Sequence, residues 1–330
     1  MSIKIAYITL GCKLNYAETS TYERELSKAG FEAVPWSKGA DVFVVNTCTV
    51  TEHSDKKSRN IIRKLHRQNP YARIFVTGCS AQLRRADYEA IEGVVRVFGA
   101  TEKSLVVPYI IQNTSGTDCC GHDISTFFPA YSSGERTRSF LKVQDGCDYK
   151  CHYCTVPYAR GESRNIPIAD IIPQAEAIAA EGIKEIVLTG VNTGDFGKST
   201  GETFFELIKQ LNEVEGIERY RISSIEPNLL TEEMIDWIVT GTKFLPHYHI
   251  PLQSGCDTIL REMGRRYDTD AFAHKIQYIR EKTEVPGGPK VFFGIDVIVG
   301  FPGETDELFM ETYTFLRDVV KPAFIHIFPY

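Results

Sequence analysis

The chain has 330 residues, 43% hydrophobic and 24% charged, with a formal net charge of −6. This is a globular composition with room for about two domains, and the acidic balance argues mildly against a dedicated nucleic-acid binder. No apolar run approaches the roughly 18 residues of a membrane helix, and Ser2–Leu10 lacks the layout of an export signal, so a cytoplasmic protein with no membrane partner is expected.

The first hundred residues alternate strand and helix. Lys4–Leu10 reads as a buried strand, Asn15–Ala29 as a helix stopped by Gly30, and Asp41–Val45 as a second strand. A polar, basic helix over Glu52–Gln68 ends at Asn69-Pro70, and Arg73–Thr77 is a third strand. The β-α-β-α-β order implies an open parallel α/β sheet with right-handed crossovers. Periodicity is lost over 113–134, where Ser, Thr, Gly and Asp crowd, so a linker is placed there between domains at 1–112 and 135–330.

Alternation then resumes. Strands fit Ser139–Val143, Glu185–Thr189, Arg219–Ser223, Tyr248–Pro251, Val291–Val299 and Phe324–Phe328. Helices fit Ile168–Glu181, Phe204–Val214 and Glu304–Val319. Six such repeats suggest a partial (β/α)6 barrel of parallel strands. The sixth strand lies at the very end without its helix.

Nine cysteines, an odd number, argue against a full set of internal disulfides and favour metal ligation or catalysis. Cys147-Asp148-Tyr149-Lys150-Cys151-His152-Tyr153-Cys154 has Cys-x3-Cys-x2-Cys spacing and follows a barrel strand. Three thiolates in one loop can hold three corners of an iron–sulfur cube and leave one iron open. The alternative is structural zinc with His152 as fourth ligand, which the single-loop origin disfavours.

Cys12, Cys48 and Cys79 are 36 and 31 residues apart, yet each lies just past the carboxyl end of a strand of the first sheet. Ligands bind at that edge of open α/β sheets, and soft thiolates suit a second iron–sulfur centre. The alternative is three buried structural cysteines. Cys119-Cys120 reads as incidental, with a weak option of oxidation sensitivity, and Cys256 as a small packed residue. Lys56–Arg67 carries six Lys or Arg and no acid, which suits either phosphate contacts or a solvated helix face.

Cys-x3-Cys-x-aromatic-Cys, with Tyr153 as the aromatic, resembles the radical S-adenosylmethionine superfamily. Together with Cys12, Cys48 and Cys79 it resembles the methylthiotransferase family. Leu10-Gly-Cys-Lys-Leu-Asn15, Val45-Asn-Thr-Cys-Thr49, Val76-Thr-Gly-Cys79, Pro157-Tyr-Ala-Arg-Gly161, Leu188-Thr-Gly190, His249-Ile-Pro-Leu-Gln-Ser-Gly255 and Val297-Ile-Val-Gly-Phe-Pro-Gly-Glu-Thr305 extend the resemblance over nearly the whole chain. Gly11-Cys-Lys-Leu-Asn15, Val187-Leu-Thr-Gly-Val-Asn-Thr-Gly194 and Ile222-Ser-Ser-Ile-Glu226 look closest to the bacterial branch acting on N6-threonylcarbamoyladenosine in tRNA. The isopentenyladenosine and ribosomal-protein branches are the alternatives. The family also carries a C-terminal RNA-binding β-barrel, which the resemblance would place after Tyr330 and which is expected to be absent from this chain.

The resemblance implies two 4Fe–4S clusters, one on Cys147, Cys151 and Cys154 and one on Cys12, Cys48 and Cys79. It implies two uses of S-adenosylmethionine: methyl transfer to sulfur at the second cluster, and reductive cleavage to a 5′-deoxyadenosyl radical that enables C–S bond formation at C2 of adenine. The Tyr153 backbone, Thr189 and Gly190 would meet S-adenosylmethionine, while Glu226 and Asp296, in or at the end of barrel strands, either accept a hydrogen bond from it or belong to structural ion pairs. Arg160 and Arg164 would contact S-adenosylmethionine or the carboxylate of the modified base, the alternative being a solvated loop face. The partners implied are the tRNA anticodon stem-loop and a flavodoxin or ferredoxin donor, with the chain a monomer.

Overall fold

Five parallel strands make the first sheet: β1 (Lys4–Thr9), β2 (Glu32–Ala33), β3 (Val42–Thr47), β4 (Arg73–Gly78) and β5 (Val94–Val97), in spatial order β2-β1-β3-β4-β5. Every residue of β3 is buried, as a central strand covered on both faces must be. Alternate strand residues feed two cores. Phe43, Val45 and Val76 meet Ile62 and Leu65 of one flanking helix, while Val42, Val44 and Phe75 meet Tyr22, Leu26 and Ile110 of the other side.

The helices of this half are α1 (Lys13–Lys28), α2 (Glu52–Gln68), α3 (Cys79–Leu83), α4 (Arg85–Glu89) and α5 (Val106–Ser115). Thr51 starts α2 by accepting from the Ser54 amide at 3.2 Å. The computed structural model describes residues 2–49, 51–115, 127–134, 137–284 and 291–330; Cys119-Cys120 and the centre of the expected linker lie outside the described residues.

The second half has β6 (Ser139–Lys142), β7 (Glu185–Thr189), β8 (Arg219–Ile222), β9 (His247–Gln253), β10 (Phe292–Val299) and β11 (Phe324–Pro329), all parallel. The six strands form a partial barrel, as the repeats predict, with one seam. The wall is two three-stranded sheets, β6-β7-β8 and β9-β10-β11, joined by the Ile225 amide donating to the His249 carbonyl at 3.1 Å. Helices α6 (Val156–Arg160), α7 (Ile168–Ala180), α8 (Phe204–Asn212), α9 (Glu232–Ile238), α10 (Asp257–Glu262), α11 (Thr269–Thr283) and α12 (Asp306–Thr314) follow the strands. Ile171, Ile178, Leu207, Ile235 and Ile276 on their inner faces pack on Ile186, Leu188, Ile222 and Ile295.

The helix expected over Glu304–Val319 breaks. It is α-helical only to Thr314, then a π-turn over Phe315–Val320 closes on left-handed Lys321. The first part of helix α1, Leu14–Tyr22, is buried on nearly all sides although polar, because it lies between its own sheet and β6. Tyr16 meets Phe140 edge-on at 5.8 Å, and Ala17 packs with Phe140 and Val187. Residues 130–133 run along the same seam, where Thr21 and Ser20 accept from the Tyr131 and Ser133 amides.

Candidate active site: two cysteine triads across a domain seam

Cys12, Cys48 and Cys79 follow β1, β3 and β4, which are immediate neighbours in the sheet, so the strand order alone brings the three thiols to one edge. Buried polar side chains lace the loops together. Asn15 donates to the Leu10 carbonyl at 2.8 Å and to the Thr47 carbonyl at 3.0 Å. The Thr47 hydroxyl donates to the Thr77 carbonyl at 2.7 Å and accepts from the Ala81 amide at 3.0 Å. Gly11 has φ +93°, and a Cβ there would lie 2.6 Å from the Cys48 Sγ, so only glycine lets the first loop cross the second.

The other triad leaves β6 through Asp145-Gly146. A Cβ on Gly146 would strike the Glu162 carbonyl at 1.9 Å, which fixes a tight return of the loop. The Cys147 sulfur accepts from the Tyr149 amide at 3.4 Å, and the Cys154 amide donates to the Cys151 carbonyl at 3.0 Å. His152 points away. Its Nδ1 donates to the Glu262 carbonyl at 2.6 Å and its amide to the Met263 carbonyl, so it is bound to α10 and its neighbour rather than facing the thiols. That removes the ligand the zinc alternative needs.

Each triad has one buried arginine on one sulfur. Arg265 donates to Cys151 Sγ at 3.2 Å and to the Tyr153 hydroxyl at 3.1 Å, and pairs with Glu226. Arg160, at the end of α6, donates through Nε to Cys79 Sγ at 3.2 Å. Helix α6 packs on α3, which begins at Cys79, so the two cysteine loops meet there. The Nη atoms of Arg160 reach Asn15 at 2.6 Å, Asp145 at 2.9 Å and Glu18 at 3.2 Å.

Glu18 also takes Lys103 at 2.8 Å and Lys142 at 2.9 Å, and Lys142 takes Asp145 at 2.7 Å. All five of these charged side chains are buried. Burial alone would raise the Glu18 carboxyl, but Lys103, Lys142 and Arg160 hold it below the usual carboxylate range, and Asp145 is held down likewise by Lys142 and Arg160. Three cations against two carboxylates leave a positive surplus beside the Cys12 triad.

These donor sets fit two iron–sulfur clusters. Each offers three soft sulfurs. Burial pushes the Cys147 thiol up to about 12 and raises Cys79 and Cys154, so a bound metal would have to draw the protons off. The surplus positive charge matches an anionic cluster at the sheet edge.

The remaining sequence-predicted residues lie around the barrel mouth. Thr189 is buried at the end of β7, and Gly190 packs against Gln144, whose Oε1 accepts from the Val191 and Asn192 amides at 2.9 Å. Arg164 donates to Asp145 at 3.3 Å and to the Arg160 carbonyl. Asp296, within β10, accepts from His249 at 2.8 Å and His326 at 3.0 Å. Residues missed from the sequence include Glu18, Lys103, Lys142, Asp145 and Arg265. The one available signal was a helix, α1, too polar for the burial its position demands. Cys256 is buried with Ile259 and Met263, a packed residue as expected.

A parallel half-barrel with an open three-cysteine loop at its mouth defines a radical S-adenosylmethionine enzyme, and the Radical SAM superfamily matches residues 141–316. Residues 4–99 match Uncharacterized protein family UPF0004. The chain is 41% identical to threonylcarbamoyladenosine tRNA methylthiotransferase MtaB of Bacillus subtilis, over 99% of this chain and 73% of that one. It is 31% identical to tRNA-2-methylthio-N(6)-dimethylallyladenosine synthase of Helicobacter pylori, over 96% of this chain and 73% of that one. The chain belongs to the methylthiotransferase family of radical S-adenosylmethionine enzymes, which work with 4Fe–4S clusters and S-adenosylmethionine. Its fold is also that of the radical S-adenosylmethionine methyltransferase TsrM of Kitasatospora setae, with a TM-score of 0.67 at 14% identity, covering 100% of this chain and 75% of that one.

Proposed function

We propose that this chain adds a methylthio group at C2 of N6-threonylcarbamoyladenosine in the tRNA anticodon loop. The observation that carries the reading is the meeting of two three-thiol loops across α3 and α6, tied by Arg160. When bound, the clusters and S-adenosylmethionine supply the electron, the methyl group and the sulfur site. The protein's own residues do the placing.

Cys147, Cys151 and Cys154 hold one cluster, and Cys12, Cys48 and Cys79 the other. Gln144 fixes the turn after β7, so Thr189 and Gly190 present backbone to the amino-acid end of S-adenosylmethionine. Glu226, aligned by Arg265, and the backbone at Tyr153 border the same space. The exposed basic residues of α2 give phosphate contacts beside the sheet-edge triad. No helix among the described residues is long and apolar enough to cross a membrane. The reading includes a cytoplasmic monomer served by a flavodoxin- or ferredoxin-type donor.

The test is incubation of the reduced, reconstituted chain with S-adenosylmethionine, sulfide and a threonylcarbamoyladenosine stem-loop, followed by nucleoside mass spectrometry. The methylthiolated nucleoside is expected. Cleavage of S-adenosylmethionine with modification only of an isopentenyladenosine stem-loop would overturn the substrate.

A further inference from the structure

Strands β9, β10 and β11 stand side by side, and their register sets three polar side chains on one face. Asp296 of β10 lies opposite His326 of β11, and His249 of β9 lies opposite Gly294, two residues before Asp296. Side chains alternate along a strand, so positions 294 and 296 share a side and the three groups converge. His249 Nε2 lies 2.8 Å and His326 Nδ1 3.0 Å from the same oxygen, Oδ1 of Asp296. All three donor atoms fall within 4.8 Å of one another.

An oxygen that accepts from two ring nitrogens belongs to an ionised carboxylate. Each imidazole can carry its proton on its other nitrogen, so both rings can turn a lone pair toward the space beside Asp296. Two neutral imidazoles and one carboxylate then remain, which is a donor set for a transition metal. Atoms held about 2.1 Å from one ion lie about 3 Å apart, so both ring-to-carboxylate separations already match and only the two rings must close toward each other. A structural ion pair needs one histidine on that oxygen, and here there are two. The scaffold also suits a fixed geometry. All three donors stand on strands, Phe324 meets the His326 ring edge-on at 4.6 Å, and His249 and Asp296 are mostly buried. His326 is half-exposed, which gives an ion its way in.

We infer that His249, Asp296 and His326 form a mononuclear site for a divalent first-row transition metal, built from residues that belong to neither cysteine triad. Three protein ligands leave coordination positions for water or another oxygen ligand, unlike a closed structural site with four. The Lys13 ammonium acts on Asp296 from across the seam, which lowers the affinity for a cation without changing the stoichiometry. The site goes beyond the function proposed above and does not rest on it.

The test uses the tag-free, cluster-loaded full chain, washed with chelator and kept oxidised so that both clusters are silent in electron paramagnetic resonance. Manganese(II) is titrated in, and loss of its free signal counts the ions bound. About one manganese per chain is expected, displaced by zinc(II), which such donors hold more tightly. Asp296→Asn and His326→Gln should each weaken binding by more than about tenfold. His247→Asn, a neighbouring histidine outside the donor set, should bind as the wild type does. Pulsed measurements on the wild-type complex should show nitrogen coupling from imidazole. That readout needs no variant, so it decides the matter if a substitution lowers iron loading. A wild type that holds no manganese and gains no melting temperature from zinc would overturn the site. So would full binding in Asp296→Asn and His326→Gln, or bound manganese with oxygen ligands alone.

Discussion

Arg160 of the barrel domain donates to the sulfur of Cys79 in the sheet domain at 3.2 Å, with its Nη atoms taken by Asn15, Glu18 and Asp145. One side chain thus binds a cluster ligand and fastens the seam between the domains. It is a positioning residue, and the network around it joins docking to cluster assembly.

Removing the carboxylate at the centre of that network should destabilise the seam. Glu18→Gln leaves Lys103, Lys142 and Arg160 buried with only Asp145 to offset them. The expected loss is about 3–5 kcal/mol, measured by denaturant unfolding. Glu18→Gln combined with Lys103→Met should recover part of it. A loss below about 1 kcal/mol would mean the charges are not buried in solution.

Arg265 should tune the barrel cluster as Arg160 does the other. Hydrogen bonds and positive charge at a ligand sulfur stabilise the reduced cluster. Arg265→Gln should therefore lower the midpoint potential of the Cys147–Cys154 cluster, followed by electron paramagnetic resonance in a potentiometric series. Glu226→Gln should shift it the other way, because it removes the opposing charge.

Acid should weaken the fold in two stages. Burial, with Arg221 and Lys13 nearby, lowers His247 to about 4 from 6.5, so between those values the unfolded chain binds a proton the folded chain does not. Stability therefore falls as pH drops through that window, and His247→Asn should flatten the slope there. Glu18 and Asp145 are held below the usual carboxylate range, so their contribution persists until the pH drops below about 4 and is lost as they protonate. Melting temperatures across the range check both stages.

The basic helix gives a salt signature. Lys57 and Arg63 are exposed on α2. Lys57→Ala with Arg63→Ala should weaken stem-loop binding and make the slope of log affinity against log salt shallower by about 1.5. An unchanged slope would mark that face as merely solvated.

Much of this site was legible from one dimension. The Cys147 loop is local, and the placing of Cys12, Cys48 and Cys79 needs only three strands and the rule that parallel neighbours end on one edge. What the sequence could not show is which distant side chains serve the sulfurs. Arg160 and Cys79 are 81 residues apart, Arg265 and Cys151 114 apart. Arg160 was expected at S-adenosylmethionine or the substrate carboxylate, and it lies on Cys79 instead. The break of the last helix at Phe315 is likewise set by packing, since Gly255 comes so close that a Cβ on it would lie 2.9 Å from Phe315.

Two separate clusters, each on three cysteines, are the core of the account. Iron and acid-labile sulfide per reconstituted chain test them directly, in the wild type and in a variant with Cys12, Cys48 and Cys79 all changed to Ala. The account predicts about eight irons falling to about four, with the S-adenosylmethionine-responsive signal retained. About four irons in both proteins would contradict it.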